Sequence, residues 1–329
     1  MNPPVKRDLA AYLGIAESDI DPFLRSRADL RGVMPAYIGP ADRCVTHADG
    51  SHIDEWGVTR RPVSYGSGHY DEIFHYPLAD ITDAAQLDDV TFPSPDWYDY
   101  SSLHALIDEA NRDAERAIIL FGANPFERAW AMRGLETMLA DLIVEKEIAH
   151  GILERATDFF VEYITRSLEE ARGKIDIVFT ADDIGGQEGL LLSLPLWEEM
   201  FKPYHARLNQ VIHSFGAKVM YHSDGAIMDV LEGLVDMGID ILEALQFNAR
   251  GMDPVAMKNR VGDKISFHGG ISVQSTLPFG TPEDVEREVR ERIEVLGRGG
   301  GYICAPSHTI QAGTPVENVV AFLKAVGRY

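Results

Sequence analysis

The chain has 329 residues, of which 45% are hydrophobic and 25% are charged. This composition is that of a folded globular protein, and the length suits one large α/β domain better than a single β-sandwich. The net charge of −22 would repel a phosphate backbone, and no apolar run approaches the ~20 residues that a membrane span needs. Neither nucleic acid nor a membrane is therefore an expected partner.

The first residues and the cysteines indicate the cellular compartment of the protein. The segment MNPPVKRDLAAYLG lacks the apolar core and the small-residue cleavage site of a signal peptide. Cys44 and Cys304 are the two cysteines of the chain, too few for a disulfide framework and without the spacing of a zinc knuckle. Both features predict a cytoplasmic protein.

Short runs rich in β-branched and aromatic residues alternate along the chain with longer segments of helical period, which predicts parallel strands joined by helices. In chain order the predicted strands are GVMPAYI from Gly32, AIILF from Ala117, IDIVFT from Ile175, KVMYH from Lys218, IDILEAL from Ile239, ISFHG from Ile265 and GYICA from Gly301. The predicted helices are Phe126 to His150, Leu153 to Arg172, Pro195 to Phe215 and Pro282 to Gly297. Seven visible strands, one short of eight, predict a single α/β domain over residues 1–329 with the fold of a (β/α)8 TIM-type barrel.

Residues from about Cys44 to Asp99 interrupt this alternation. The stretch DEWGVTRRPVSYGSGHYDEIFHYPLAD is aromatic, glycine-rich and dotted with charge. It predicts a hairpin and loop region, residues 44–99, inserted after the first barrel strand. Such an insertion is either a binding element or an extended loop that only caps the barrel.

Polar residues follow five successive predicted strands, at the barrel end where the reactive groups of such folds lie. Taken singly, each has a structural explanation, because an acid after a strand often caps a helix and a histidine there is often a hydrogen-bonded packing residue. Their coincidence at one end favours a shared pocket. The residues are Asp182, Asp183, Gln187, Glu188, His222, Asp224, Glu243, Gln246, Asn248, His268, Ser307 and His308.

The segment KVMYHSDGAI gives the most specific prediction of such a pocket. Residues two apart in an extended segment point the same way, so a strand ending at His222 can aim both His222 and Asp224 into one pocket while Ser223 faces elsewhere. Gly225 then frees the backbone to turn.

Several motifs together resemble the uroporphyrinogen decarboxylase-like superfamily, and within it the cobalamin-linked methyltransferases more than the haem-pathway decarboxylases. The similarity runs over nearly the whole chain and implies one barrel with its pocket at the carboxyl rim. The motifs are DEWGV from Asp54, YPLAD from Tyr76, DDIGGQEGLLLSLPLWEEMFKPYHARL from Asp182, GAKVMYHSDG from Gly216, FHGGIS from Phe267 and GGGYICAPSHTIQAGTPVENVVAF from Gly299.

The resemblance leaves three functions open. The haem-pathway decarboxylases begin with an arginine-rich segment that holds the substrate carboxylates, and the region RGVMPAYIGPADRC here lacks the tryptophan and the paired-arginine glycine motif. Methyl transfer between a corrinoid protein and a small oxygen- or nitrogen-containing partner, of the methoxylated or tetrahydrofolate type, is therefore the first expectation. Decarboxylation of uroporphyrinogen or a related acid is the second, and a non-catalytic metabolite-binding barrel is the third.

The resemblance also implies a metal site with altered ligands. Zinc-dependent methyltransferases of the family carry His-x-Cys after the strand that is KVMYH here, and a second cysteine near the last strand. This chain keeps His222, but Asp224 and His308 stand where the cysteines are expected. A set of two imidazoles and a carboxylate is harder than one with thiolates and suits Zn²⁺ first, or Mn²⁺ or Fe²⁺.

The remaining roles follow from the same resemblance, which also implies that the corrinoid comes with a partner protein and that the chain forms a homodimer. The segment YGSGHY is expected to close over the substrate, and Tyr221 and Trp56 to be packing residues. The predicted catalytic residues are Asp183, Glu188 and Glu243, and the predicted substrate-binding residues are Asp182, Gln187, Gln246 and His268.

Overall fold

The computed structural model describes residues 1–64 and 69–328. Within these residues lie the strands β1 (Leu30–Val33), β2 (Ala36–Tyr37), β3 (Val45–Thr46), β4 (His52–Ile53), β5 (Thr59–Ser64), β6 (His69–His75), β7 (Tyr98–Asp99), β8 (Ala117–Phe121), β9 (Ile177–Ala181), β10 (Lys218–His222), β11 (Ile241–Ala244), β12 (Ser266–Ile271) and β13 (Tyr302–Pro306).

The helices of the same residues pack around and between these strands. They are α1 (Pro3–Leu13), α2 (Ile20–Arg27), α3 (Ser102–Ala110), α4 (Pro125–Arg133), α5 (Leu135–Val144), α6 (Lys146–Ala171), α7 (Leu194–Met200), α8 (Lys202–Ser214), α9 (Leu231–Met237), α10 (Pro254–Val261), α11 (Thr276–Phe279), α12 (Pro282–Leu296) and α13 (Val316–Ala325). In the described residues no helix is both long and apolar enough to cross a bilayer.

The main sheet is parallel, and its seven strands lie in the order β1, β8, β9, β10, β11, β12, β13. It is curled, because residues from all seven strands line one cavity on its inner side. Each of these strands overlaps one of the seven predicted from the sequence, so the prediction of a parallel α/β fold is confirmed. Closure into a barrel by an eighth strand stays a prediction.

The region predicted as an insertion contains a second sheet. Strands β3 to β6 form a four-stranded antiparallel sheet, and β2 pairs with β7 at the two ends of the region. Trp56 is 2% exposed and packs edge-to-face on Phe159 of α6, which confirms its prediction as a packing residue. The predicted closure by YGSGHY depends on residues 65–68, which lie outside the described residues.

The helix predicted from Phe126 to His150 is wrong as one element. It is divided into α4, α5 and the start of α6, with breaks at Gly134 and Glu145. Gly134 has a φ of +94°, a left-handed conformation that residues with a side chain rarely adopt. The first turn of α4 lies just after the carboxyl end of β8, beside the cavity.

Candidate functional site

Three side chains form a row along the carboxyl end of the sheet. The register of β10, β11 and β12 pairs His222 with Glu243, and Glu243 with His268. In a parallel sheet paired residues face the same side, so these side chains lie next to one another on the inner face. All three line the cavity, whose volume is about 1680 Å³.

Glu243 is the centre of the row. Its Oε2 is hydrogen-bonded to Nδ1 of His222, and its Oε1 lies 3.7 Å from Nδ1 of His268. Burial by itself would raise the pKa of Glu243, but the two imidazoles outweigh burial and hold it at about 2. Burial likewise lowers the pKa of His222, but the contact with Glu243 reverses this and raises it to about 9. In the absence of a cation the pair is therefore an imidazolium bonded to a carboxylate at neutral pH.

His222, Asp224 and His308 come together at the same rim. Each offers one ligand atom, and these atoms all lie within 4.8 Å of one another. The rings of His222 and His308 have their centroids 6.0 Å apart. Because Glu243 holds Nδ1 of His222, the free Nε2 points to the cluster, which is the usual arrangement of a metal-binding histidine. The donor set and its spacing fit a divalent cation.

The loop after β10 brings Asp224 into this cluster. Gly225 has a φ of +85°, and a Cβ on it would lie 2.4 Å from the backbone of Gly185. The backbone N–H of Asp224 donates to Oδ1 of Asp183 at 2.8 Å. Ser223 is 1% exposed, and its Oγ accepts from the N–H of Ile184. The predicted alternation of His222, Ser223 and Asp224 therefore describes this loop.

Asp183 joins the cluster, while its neighbour Asp182 does not. Oδ1 of Asp183 lies 3.6 Å from Nε2 of His222. Asp182 is 0% exposed, and its carboxylate accepts from the N–H groups of Phe126 and Glu127 and contacts His205 at 2.7 Å. The oxygens of Asp182 are bonded to these groups and not to the cluster, and its assignment to substrate binding stays a prediction.

Gln246 also has a structural position. It is 4% exposed, and its Oε1 accepts from the N–H of Gly225 at 2.9 Å. Its Nε2 donates to Gln187 at 3.2 Å and to Gln274 at 3.0 Å. These bonds use the Gln246 amide to hold the loop after β10, and its assignment to substrate binding stays a prediction. Gln187 is exposed, and its predicted role in substrate binding stays a prediction.

Glu188 lies outside the cluster. Its side chain is 82% exposed and pairs with Arg250 at 3.4 Å. The structure places this carboxylate in solvent rather than against the cavity, and the catalytic role of Glu188 stays a prediction. Tyr221 is 0% exposed, as predicted for a packing residue, and its hydroxyl donates to the carbonyl of Asp182.

Two residues of the rim, Asn124 and Glu127, were not predicted from the sequence as site residues. Both line the cavity and follow β8 in the segment GANPFE. The rule that found the other residues, polar side chains after a strand, also applies to this strand. A smaller hollow of about 430 Å³ lies outside the sheet over α12 and shares no residue with this rim.

The fold and the rim define an α/β protein with a polar site at the carboxyl end of a curled parallel sheet. A family model described as uroporphyrinogen decarboxylase (URO-D) matches residues 62–329. The chain belongs to this family, as the motifs indicated.

The similar proteins include methyltransferases and uroporphyrinogen decarboxylases. The chain is 30% identical over 221 residues to a methylated-thiol–coenzyme M methyltransferase of Methanosarcina mazei, a match that covers 67% of this chain and 56% of that protein. It is 25% identical over 206 residues to the methylcobamide:CoM methyltransferase MtaA of Methanosarcina barkeri, covering 60% and 57%. The chain thus spans little more than half the length of these curated relatives.

A solved structure supports the fold. A methyltransferase from Methanosarcina mazei superposes with a TM-score of 0.63 at 18% identity, over 82% of this chain and 75% of that chain. The named relatives are enzymes, which bears out the prediction of an enzyme.

Proposed function

We propose that the protein transfers a methyl group between a corrinoid carried by a partner protein and a small oxygen- or nitrogen-containing compound. The observation that carries the proposal is the cluster of His222, Asp224 and His308, because it occupies the rim position at which the zinc-dependent methyltransferases of the family are expected to bind their metal. The names of the two curated relatives support methyl transfer, and one of them specifies a methylcobamide.

The cluster would hold a divalent cation, zinc first. Such an ion supplies Lewis acidity, which favours the deprotonated form of a substrate heteroatom. The protein side chains do the rest of the positioning. Glu243 fixes the ring of His222 by its bond to Nδ1, and Gln246 fixes the loop that carries Asp224. Asp183 and His268 are left at the rim to contact the substrate, Asp183 as an acceptor of hydrogen bonds.

The replacement of two thiolates by a carboxylate and an imidazole supports an oxygen or nitrogen partner over a thiol. Thiolate ligands donate charge to the ion and suit thiol exchange, whereas Asp224 and His308 make a harder site. The thiol named for the Methanosarcina mazei relative is therefore not the partner that we propose for this chain.

Decarboxylation of a porphyrinogen is disfavoured by the charges that line the cavity. At the rim the described lining residues include carboxylates and imidazoles but no arginine or lysine. A substrate with many carboxylates would find no arginine or lysine there to bind them. The basic lining residues lie at the opposite end, where the strands begin. They are Arg27, Arg116, Lys218 and Arg328, of which Arg328 is bonded to Asp29 just before β1.

The test is a methyl-transfer assay with free methylcobalamin as the donor. Purified protein is incubated with methylcobalamin and, separately, with tetrahydrofolate, phenols and coenzyme M, and loss of the methyl–cobalt absorbance is followed. We expect transfer to an oxygen or nitrogen acceptor that is lost in Asp224→Ala. Formation of coproporphyrinogen from uroporphyrinogen, with no demethylation of methylcobalamin, would contradict the proposal.

The organisation of the chain is part of the proposal. We propose that residues 1–329 form one domain with residues 44–99 inserted, that the family barrel is closed by an eighth strand, and that the protein forms a homodimer. A crystal structure with two separately packed domains would contradict the first of these points.

A further inference from the structure

Glu127 is a carboxyl group in the cavity wall that none of the roles above uses. It lies in the first turn of α4, directly after β8, and lines the same cavity as His222 and Glu243. Its Oε2 accepts from Nδ2 of Asn124 at 2.8 Å. The side chain is thus oriented by a neutral amide at the carboxyl rim.

Glu127 does not make the usual capping bond of a glutamate in a first helical turn. Such a glutamate often accepts from the backbone N–H of the N-cap residue, which in α4 is Asn124. Glu127 instead accepts from the side-chain Nδ2 of Asn124. The N–H groups of Phe126 and Glu127 are bonded to Asp182, at 2.9 Å and 2.7 Å.

The charges around Glu127 favour its neutral form. Among the described residues it has no lysine, arginine or histidine partner within 4 Å, in contrast to Glu243 with its two imidazoles. Asp182 and Asp183 face it as further acids, and His222 is the nearby cation. Burial, reinforced by the charge of Asp182, raises the pKa of Glu127 despite the opposing bond from Asn124.

The other carboxyl groups of the rim have partners or positions of their own. Asp224 is a ligand of the proposed cation. Glu243 is bonded to His222 and is held charged, with a pKa of about 2. Asp183 accepts the N–H of Asp224 and lies 3.6 Å from His222. Glu188 faces solvent. Glu127 combines access to the cavity with the absence of a cationic partner in the described structure.

We propose that Glu127 is a catalytic residue that exchanges a proton with the substrate heteroatom. The proposal rests on the proposed methyl transfer. When a methoxy compound is the donor, the carbon–oxygen bond breaks and its electron pair stays on oxygen. The cobalt(I) corrinoid, acting as the second substrate, supplies the electron pair of the new bond to the methyl carbon. The carboxyl O–H of Glu127 breaks and its proton goes to the oxygen, giving an alcohol or phenol. In the reverse direction the carboxylate takes that proton.

The first test varies the leaving group. Wild type, Glu127→Gln and the control Glu136→Gln are compared with free cob(I)alamin as acceptor and either methoxybenzene or 4-nitromethoxybenzene as donor. Glu136 is an exposed glutamate of α5. Loss of general acid catalysis should slow Glu127→Gln by about 10²–10⁴-fold on methoxybenzene. The leaving group of the nitro compound is a stable phenolate anion that needs no proton, so the rate of methyl transfer from this donor should change far less. An equal loss on both donors, or no loss on either, would overturn the proposal.

The second test does not depend on activity. Protein labelled with ¹³C at the glutamate carboxyl carbons is titrated by NMR, and the signal that is missing in Glu127→Gln but retained in Glu136→Gln identifies Glu127. We expect it to titrate above the ordinary value of 4.5. Titration at or below that value would overturn the proposal even if the enzyme is active. A wild type inactive with both donors counts against the proposed methyl transfer, and this titration then decides the state of Glu127 separately.

Discussion

Replacing Glu243 by glutamine should break the central interaction of the site without removing volume. Contact with Glu243 outweighs burial and raises the pKa of His222 from 6.5 to about 9. The pKa of Glu243 falls from 4.5 to about 2, again against the effect of burial. The contact between His222 and Glu243 contributes to both changes and is counted once, while His268 also lowers the pKa of Glu243. At about 1.4 kcal/mol per pKa unit, the contact contributes roughly 3 kcal/mol to the stability of the metal-free protein.

The sign of each shift fixes the pH range of this contribution. His222 has a raised pKa, so its part is complete below pH 6.5 and is lost as the pH rises through about 9. Glu243 has a depressed pKa, so its part is complete above pH 4.5 and is lost as the pH falls toward 2. We expect Glu243→Gln to be most destabilised between pH 4.5 and 6.5, and the difference from wild type to shrink above pH 9.

Urea denaturation of chelator-treated protein at several pH values measures the stability, and a histidine NMR titration gives the pKa of His222 directly. In Glu243→Gln that pKa should fall toward its ordinary value of 6.5. A variant that is destabilised equally from pH 5 to pH 10, or that leaves the His222 titration unchanged, would refute the ion-pair reasoning.

Other predictions concern the metal cluster and its loop. Asp224→Ala and His308→Ala should each lose most bound zinc, measured by elemental analysis after dialysis, while the exposed control Asp229→Ala retains it and all three keep a near-wild-type melting temperature. Asp224→Cys should increase zinc retention, and a decrease would argue against a metal site. Gly225→Ala should cost about 1–3 kcal/mol from its φ of +85° plus the cost of the clash with the facing loop. Gly251→Ala, with a φ of +73° and open space for its Cβ, should show the backbone cost alone in the same urea denaturation.

The strand pattern made much of this architecture predictable. Apolar runs located all seven strands of the parallel sheet, and the rule that reactive groups follow such strands gathered His222, Glu243 and His268. Their contacts were not predictable, because they depend on the register between β10, β11 and β12. That register pairs His222 with Glu243 and Glu243 with His268, and it is set by packing between strands more than 20 residues apart.

The adjacent residues Asp182 and Asp183 show what a single sequence lacks. Side chains alternate along β9, and Ile177, Phe179 and Ala181 line the cavity, so the same alternation carries Asp183 to the inside and turns Asp182 toward α4. Alternation alone states that the two acids differ. It does not state which one faces inward, because a parallel strand covered on both sides is apolar on both faces. Which acid faces outward is decided by α4, packed outside the sheet, because its N–H groups bind Asp182. Residues on the inward alternation of a strand are therefore candidates for chemistry, and the acid beside them is a candidate for capping a neighbouring helix.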